Sequence, residues 1–182
     1  MIIFLIGYRC SGKTSVGKHL ADLLQWPFVD TDELIVCQTG QSIAEFVKQH
    51  GWAAFRAKER EALAQICLQD RQVAATGGGI VLDPKNIQRM RDCGWIAWLR
   101  VGAATVVRRM RQDSRTAAFR PALTAQSMET EIRETLIQRA PAYRQAMDFG
   151  IDSDYLSVGD ICQAILKRLS LAGFGSLPNH FS

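Results

Sequence analysis

Ile2-Ile3-Phe4-Leu5-Ile6 runs directly into Gly7-Tyr8-Arg9-Cys10-Ser11-Gly12-Lys13-Thr14, an unbroken apolar stretch followed by a loop of the pattern G-x-x-x-x-G-K-[ST]. The five apolar residues are short, branched and free of alternation, as in a strand buried on both faces of a parallel sheet. Beyond the loop, Val16, Leu20, Leu23 and Leu24 recur at helical spacing. Strand, glycine loop and helix in this order make a phosphate cradle. Glycines let backbone N–H groups approach anionic oxygens, and the helix N-terminus adds partial positive charge. In such a loop Lys13 reaches the β- and γ-phosphates and Thr14 can ligate Mg²⁺. Gly7, Arg9, Cys10, Ser11, Gly12, Lys13, Thr14 and Ser15 are accordingly the candidate contacts to a nucleoside triphosphate.

The 182 residues fall in the range of one sizeable domain. No apolar run approaches the roughly 18 residues of a membrane span, and no basic leader precedes the first strand, so we expect a cytoplasmic protein without a membrane partner. Five cysteines (Cys10, Cys37, Cys67, Cys93, Cys162) are odd in number, scattered and without a C-x-x-C pair, which fits reduced thiols in a cytosol. The net charge of +4 is concentrated in Arg108, Arg109, Arg111, Arg115 and Arg120. No aromatic residues are interleaved as a stacking platform would need, so the pattern fits small anions and argues against nucleic acid.

Farther along, apolar strand candidates at 27–30, 72–76, 95–101 and 148–152 alternate with helical stretches at 32–38, 42–50, 52–69, 84–93, 103–112, 127–147 and 158–171. That alternation predicts a parallel α/β sheet in a single domain over residues 1–172, with 173–182 as a loose tail. Residues 112–125 are polar and contain Arg115, Arg120 and Pro121. We read them as a long surface loop able to act as a lid over the triphosphate.

The second strand ends in Asp30-Thr31-Asp32, at the strand edge where open α/β sheets bind ligands. One acid can face Mg²⁺ and the other a hydroxyl acceptor, whose proton it takes or orients during in-line attack; an N-cap role for Asp32 is the alternative. Thr76-Gly77-Gly78-Gly79 leaves another strand toward the same edge, where consecutive glycines suit a ligand approaching the backbone. Arg56 and Glu59 stand at i, i+3 on one helix, so the acid can hold the guanidinium. Arg139 precedes Pro141 inside a helical pattern, an arrangement that costs about 3 kcal/mol and asks for a reason. Arginines from two separate helices suit a carboxylate ligand.

Taken in order, the phosphate loop, Asp30-Thr31-Asp32, Phe55-Arg56-x-x-Glu59, Gly77-Gly78-Gly79, Arg120-Pro121-Ala122-Leu123 and Arg139-x-Pro141-x-Tyr143 resemble the shikimate kinase family over residues 2 to 170. The resemblance implies a nucleoside-monophosphate-kinase-like fold with five parallel strands in the order 2-3-1-4-5, flanked by helices and closed by a lid loop. It implies transfer of the ATP γ-phosphate to the 3-hydroxyl of shikimate, with Mg²⁺; a monomer is the default expectation. Lys13, Asp32 and Arg120 would be catalytic, with Asp32 the base and Arg120 the lid arginine that neutralises charge. Thr14 and Asp30 would serve the metal, and Arg109 would stack on adenine near Asp152-Ser153. Asp32, Arg56, Arg139 and the backbone of Gly77, Gly78 and Gly79 would hold shikimate, within a substrate-binding helical region of about residues 32–60. Cys10 departs from the glycine common at that place in the family's loop, so the backbone there must reach its geometry with a side chain present. Alternatives are another small-molecule kinase of this fold, acting on gluconate or a nucleoside, or a non-catalytic nucleotide-binding regulatory module.

Overall fold

Neighbouring residues of the first strand, β1 (Ile2–Ile6), enter different layers, which is why it carries no polar residue. Ile3 and Leu5 pack with Val16, Leu20 and Leu24 of α1 (Lys13–Leu24) and with Ile161, Ile165 and Leu169 of α7 (Val158–Leu171). Ile2, Phe4 and Ile6 face the opposite way. They meet Leu63 and Ile66 of α3 (Ile43–Ile66), Met90 of α4 (Pro84–Cys93) and Tyr143 of α6 (Ala125–Ala146). Burial of this kind contributes about 25 cal/mol per Å² of apolar surface, so the double-sided strand anchors both halves of the core.

The remaining strands are β2 (Phe28–Asp30), β3 (Gln72–Ala75), β4 (Gly94–Arg100) and β5 (Phe149–Asp152). All pairs are parallel and the order is β2-β3-β1-β4-β5, the order that the family resemblance implies. Helices α2 (Thr31–Thr39) and α5 (Ala103–Gln112) complete the set, and residues 1–112 and 125–174 are those the computed structural model describes. β1 sends the chain toward β2 while β3 sends it toward β4, so the crevice at their C-terminal ends is a topological switch point. The phosphate loop and the glycine turn open into that crevice.

Local chemistry sets the element ends. Ser42 and Glu45 form a capping box at α3, Ser157 and Asp160 another at α7, and Asp83 caps α4 ahead of Pro84. The two helical segments predicted at 42–50 and 52–69 form one span that breaks at Gly51 (φ 79°, ψ 167°) and ends earlier, at Ile66. Helix α6 continues past Pro141, and the carbonyl left without a helical donor is that of the exposed Ile137. Behind α7, Phe174 N–H returns to Leu169 O at 3.1 Å and closes the helix end. Residues 175–182 lie outside the described ones, as do 113–124 and with them Arg115, Arg120 and Pro121.

At the opposite end of the sheet, Gly94 pairs with Ile2 so closely that a Cβ there would collide with the Ile2 carbonyl. Backbone cannot yield as a flexible side chain can. We expect Gly94→Ala to destabilise the protein by about 2 kcal/mol in urea unfolding, and an unchanged midpoint would contradict this packing.

Candidate active site

The phosphate loop is built on unusual backbone angles. Gly7 sits at φ 150°, with no room for a side chain because a Cβ would lie 2.6 Å from Leu99 O. Cys10 adopts φ 60°, so this position takes left-handed geometry with its thiol in place, as the departure at Cys10 requires. Lys13 is tucked into the loop, its Nζ donating to Gly7 O at 3.0 Å and Tyr8 O at 2.9 Å. Desolvation lowers the Lys13 pKa, and the nearby carboxylates of Asp32 and Asp30 oppose that shift. The buried Ser11 Oγ and Arg9 Nε have no hydrogen-bond partner among the described residues, while Ser15 is exposed on α1.

Arg109 locks the loop from the far side. Its guanidinium donates to Cys10 O at 2.8 Å and to Ser153 O at 2.6 Å, joining α5, the loop and the end of β5. A bridge of this kind was not readable from spacing, since the partners are backbone carbonyls 99 and 44 residues away.

The helix cap at the second strand is Asp30 and not Asp32. Asp30 Oδ1 accepts the Asp32 N–H at 2.9 Å, and its Oδ2 accepts the Thr14 hydroxyl at 3.0 Å. Asp30 is the last residue of β2 and has the extended backbone that an N-cap needs, whereas Asp32 already stands in the first helical turn. Asp32 is left with a buried Oδ1 that has no hydrogen-bond partner among the described residues. Its pKa is pushed up to about 6, chiefly by desolvation and then by Asp30, with Lys13 and Arg56 pulling the other way.

The glycine turn has reasons internal to the protein. Gly77 N–H is engaged by Thr31 Oγ1 at 2.8 Å, so that donor is not available to a ligand. A Cβ at Gly77 would meet Asp32 Oδ1 at 2.7 Å and Glu59 Oε1 at 2.9 Å, and one at Gly79 would overlap the Arg56 guanidinium. The missing side chains therefore make room for the charged groups themselves. Arg56 forms an ion pair with Glu59, which is buried, and desolvation raises the Glu59 pKa against the pull of Arg56.

From α6, Arg139 donates to Gly78 O at 3.1 Å and Tyr143 Oη to the same oxygen at 2.6 Å. Tyr143 is buried against Trp98, with ring centroids 5.4 Å apart, and burial lifts its pKa to about 12. The sequence contains this tyrosine in Arg139-x-Pro141-x-Tyr143 but gives no sign of its acceptor, a carbonyl 65 residues away. Lys13, Asp32, Arg56, Glu59 and Arg139 thus share one strand-edge crevice: the Asp32 carboxylate is in electrostatic reach of Lys13 and Arg56, and Glu59 of Arg56 and Arg139.

Comparison with known proteins gives the family. A family model described as shikimate kinase matches residues 9–170. The chain belongs to the shikimate kinase family. A shikimate kinase from Syntrophus aciditrophicus is 41% identical over 180 residues, covering 94% of this chain and 92% of that protein. Among solved structures, a shikimate kinase from Acinetobacter baumannii in complex with shikimate is 30% identical with a TM-score of 0.83, over 97% of this chain and 94% of its own. A shikimate kinase from Bacteroides thetaiotaomicron reaches a TM-score of 0.88 at 29% identity, over 93% and 98% of the two chains. The shikimate kinase match takes in every site residue described above except Gly7 and Tyr8, which precede it.

The raised Asp32 pKa has a consequence for stability. An acid whose folded pKa exceeds its unfolded value penalises folding once it ionises; the penalty is absent below pH 3.8, grows as pH rises toward about 6 and is complete above that. We expect Asp32→Asn to stabilise the fold at pH 8 by on the order of 2 kcal/mol and to lose that gain near pH 4. Thermal unfolding of both forms across this range checks it; a gain that persists at pH 4 would point to another cause.

Proposed function

We propose that the protein transfers the γ-phosphoryl group of ATP to the 3-hydroxyl of shikimate, with Asp32 as the group that receives the hydroxyl proton. One observation carries the reading: a buried Asp32 oxygen without a hydrogen-bond partner among the described residues belongs to a carboxylate that feels both the phosphate-loop lysine and the Arg56–Glu59 pair. A donor hydroxyl from an acceptor molecule satisfies that oxygen. The shikimate in the Acinetobacter baumannii relative supports the choice of acceptor.

In this reading Lys13 exchanges the carbonyls of Gly7 and Tyr8 for phosphate oxygens, relieving a desolvated ammonium with stronger anionic partners. Arg56, braced by Glu59, and Arg139 bind the shikimate carboxylate and fix the ring so that the 3-hydroxyl faces Asp32. Gly77, Gly78 and Gly79 form the floor beside the ring. Arg109, pinned between Cys10 and Ser153, offers its plane to adenine. Arg120 lies outside the described residues and keeps the charge-neutralising role that the resemblance implies.

The donor set around Thr14 and Asp30 fits a hard divalent cation. Thr14 Oγ1 and the Asp30 carboxylate are in contact at 3.0 Å, and among the described residues no group of three or more His, Cys, Asp or Glu side chains makes a closed cage. That matches Mg²⁺, which keeps waters and phosphate oxygens as its other ligands. Thr14 and Asp30 would hold it, and it would supply positive charge to the β- and γ-phosphate oxygens. Phosphoryl transfer asks little covalent chemistry of the protein, so alignment and charge are what the chain provides.

A coupled assay of ADP release with and without shikimate tests the reading. Shikimate-dependent release is expected, whereas release with gluconate or a nucleoside instead, or ATP binding with no acceptor-dependent turnover, would replace it. Lys13→Ala is expected to lower kcat by about 10²- to 10³-fold with little change in shikimate KM. Arg139→Ala is expected chiefly to raise that KM, by about 10- to 100-fold. Because Asp32 must be ionised to accept a proton, kcat/KM for shikimate should fall as pH drops through about 6. A profile flat from pH 5 to 8 would remove Asp32 from the role of base.

A further inference from the structure

Tyr8 fills a variable place in the phosphate-loop pattern, yet it is buried, and its ring lies under two guanidinium groups. Arg9 Cζ is 5.5 Å from the ring centroid and Arg139 Cζ is 5.8 Å from it. The rest of the ring packs on Val106, Val107 and Ile132, so its position is fixed by apolar neighbours from α5 and α6. Among the described residues Arg139 donates a hydrogen bond to Gly78 O and belongs to no ion pair, although its charge is felt by Tyr143 and Glu59 nearby. A guanidinium with one neutral acceptor and three rotatable carbons needs a further contact to hold its orientation. Within about 6 Å of an aromatic face it finds one in the ring quadrupole, which attracts the cation without neutralising it. The charge therefore stays available to a carboxylate.

We propose that Tyr8 is a positioning residue for acceptor binding: its ring holds the Arg139 guanidinium against the crevice, so that the loop gripping the donor also orients the group gripping the acceptor. The proposal rests on the reading of Arg139 as a carboxylate ligand given above. It adds a direct physical link between the two half-sites. The Tyr8 carbonyl is one of the two oxygens that hold Lys13, so one residue touches the donor-side ammonium through its backbone and the acceptor-side guanidinium through its ring.

The test compares Tyr8→Leu, Tyr8→Phe and wild type, each alone and combined with Arg139→Ala, in steady-state kinetics with shikimate and ATP varied separately. Leu keeps apolar bulk and removes the π-face; Phe keeps the face. Tyr8→Leu is expected to raise shikimate KM about three- to tenfold, leave ATP KM within twofold, and have no further effect when Arg139 is already Ala. Tyr8→Phe is expected to return shikimate KM to within twofold of wild type. If Leu loosens the fold, as thermal unfolding would show, Tyr8→Met carries the same comparison with a longer apolar chain. An equal rise in both Arg139 backgrounds, equal rises in both substrates' KM, or a Phe variant no better than Leu each overturn the proposal. Wild-type protein that releases no ADP with shikimate overturns the functional reading itself, and the inference falls with it; wild-type turnover with unaffected variants overturns the inference alone.

Discussion

A desolvated ammonium ion must find oxygen, and the position of Lys13 is the constraint from which the rest of the crevice follows. Its Nζ rests on the carbonyls of Gly7 and Tyr8, and those carbonyls point inward only because the loop turns through positive φ at Gly7, Cys10 and Gly12. That turn in turn needs a rigid base. β1 provides it by burying all five residues, with α1 and α7 on one face and α3, α4 and α6 on the other. The acids nearby are held at a distance where they ease the lysine's burial without quenching its charge.

Much of this was written in short stretches of sequence. The β1 run, the loop glycines and the apolar period of α1 needed only neighbours a few residues apart, and the sheet order followed from the family resemblance. The carboxylate pair was legible as a pair, but which of the two caps the following helix was not. Which acid caps α2 depends on where β2 stops, and the end of a strand is set by its pairing with β3 and not by its own residues. The glycine turn was read as room for a ligand, whereas much of its space is taken by Asp32, Glu59 and Arg56. Arg109, Tyr8 and Tyr143 escaped assignment or full assignment for one reason: each contact joins a backbone carbonyl, or a ring and a guanidinium, across a long stretch of chain, and such contacts leave no signature in sequence.

Electrostatically the crevice is a frustrated place. Asp30, Asp32 and Glu59 sit close enough for the charge of Asp30 and of Glu59 to raise the Asp32 pKa, and buried Glu59 is itself held toward its neutral form. Lys13 and Arg56 relieve part of this but not all. Such tension is what a site built for anionic ligands and a proton acceptor has to tolerate, because full pairing within the protein would leave nothing to offer a substrate.

The double hydrogen bond of Asp30 has a bearing on how acceptor choice can diverge. By joining Thr14 of α1 to the first turn of α2, it makes the location of Asp32 a by-product of the phosphate loop. The acid therefore travels with the donor machinery and is hard to relocate by small substitutions. Arg56 and Arg139 come instead from α3 beyond its break at Gly51 and from α6, and Arg139 meets the loop through the ring of Tyr8. In the proposed reading the chain thus divides into a donor part tied together by backbone and side-chain hydrogen bonds and a recognition face carried by other helices, and a new acceptor would be reached by rewriting the second while the first stays as it is.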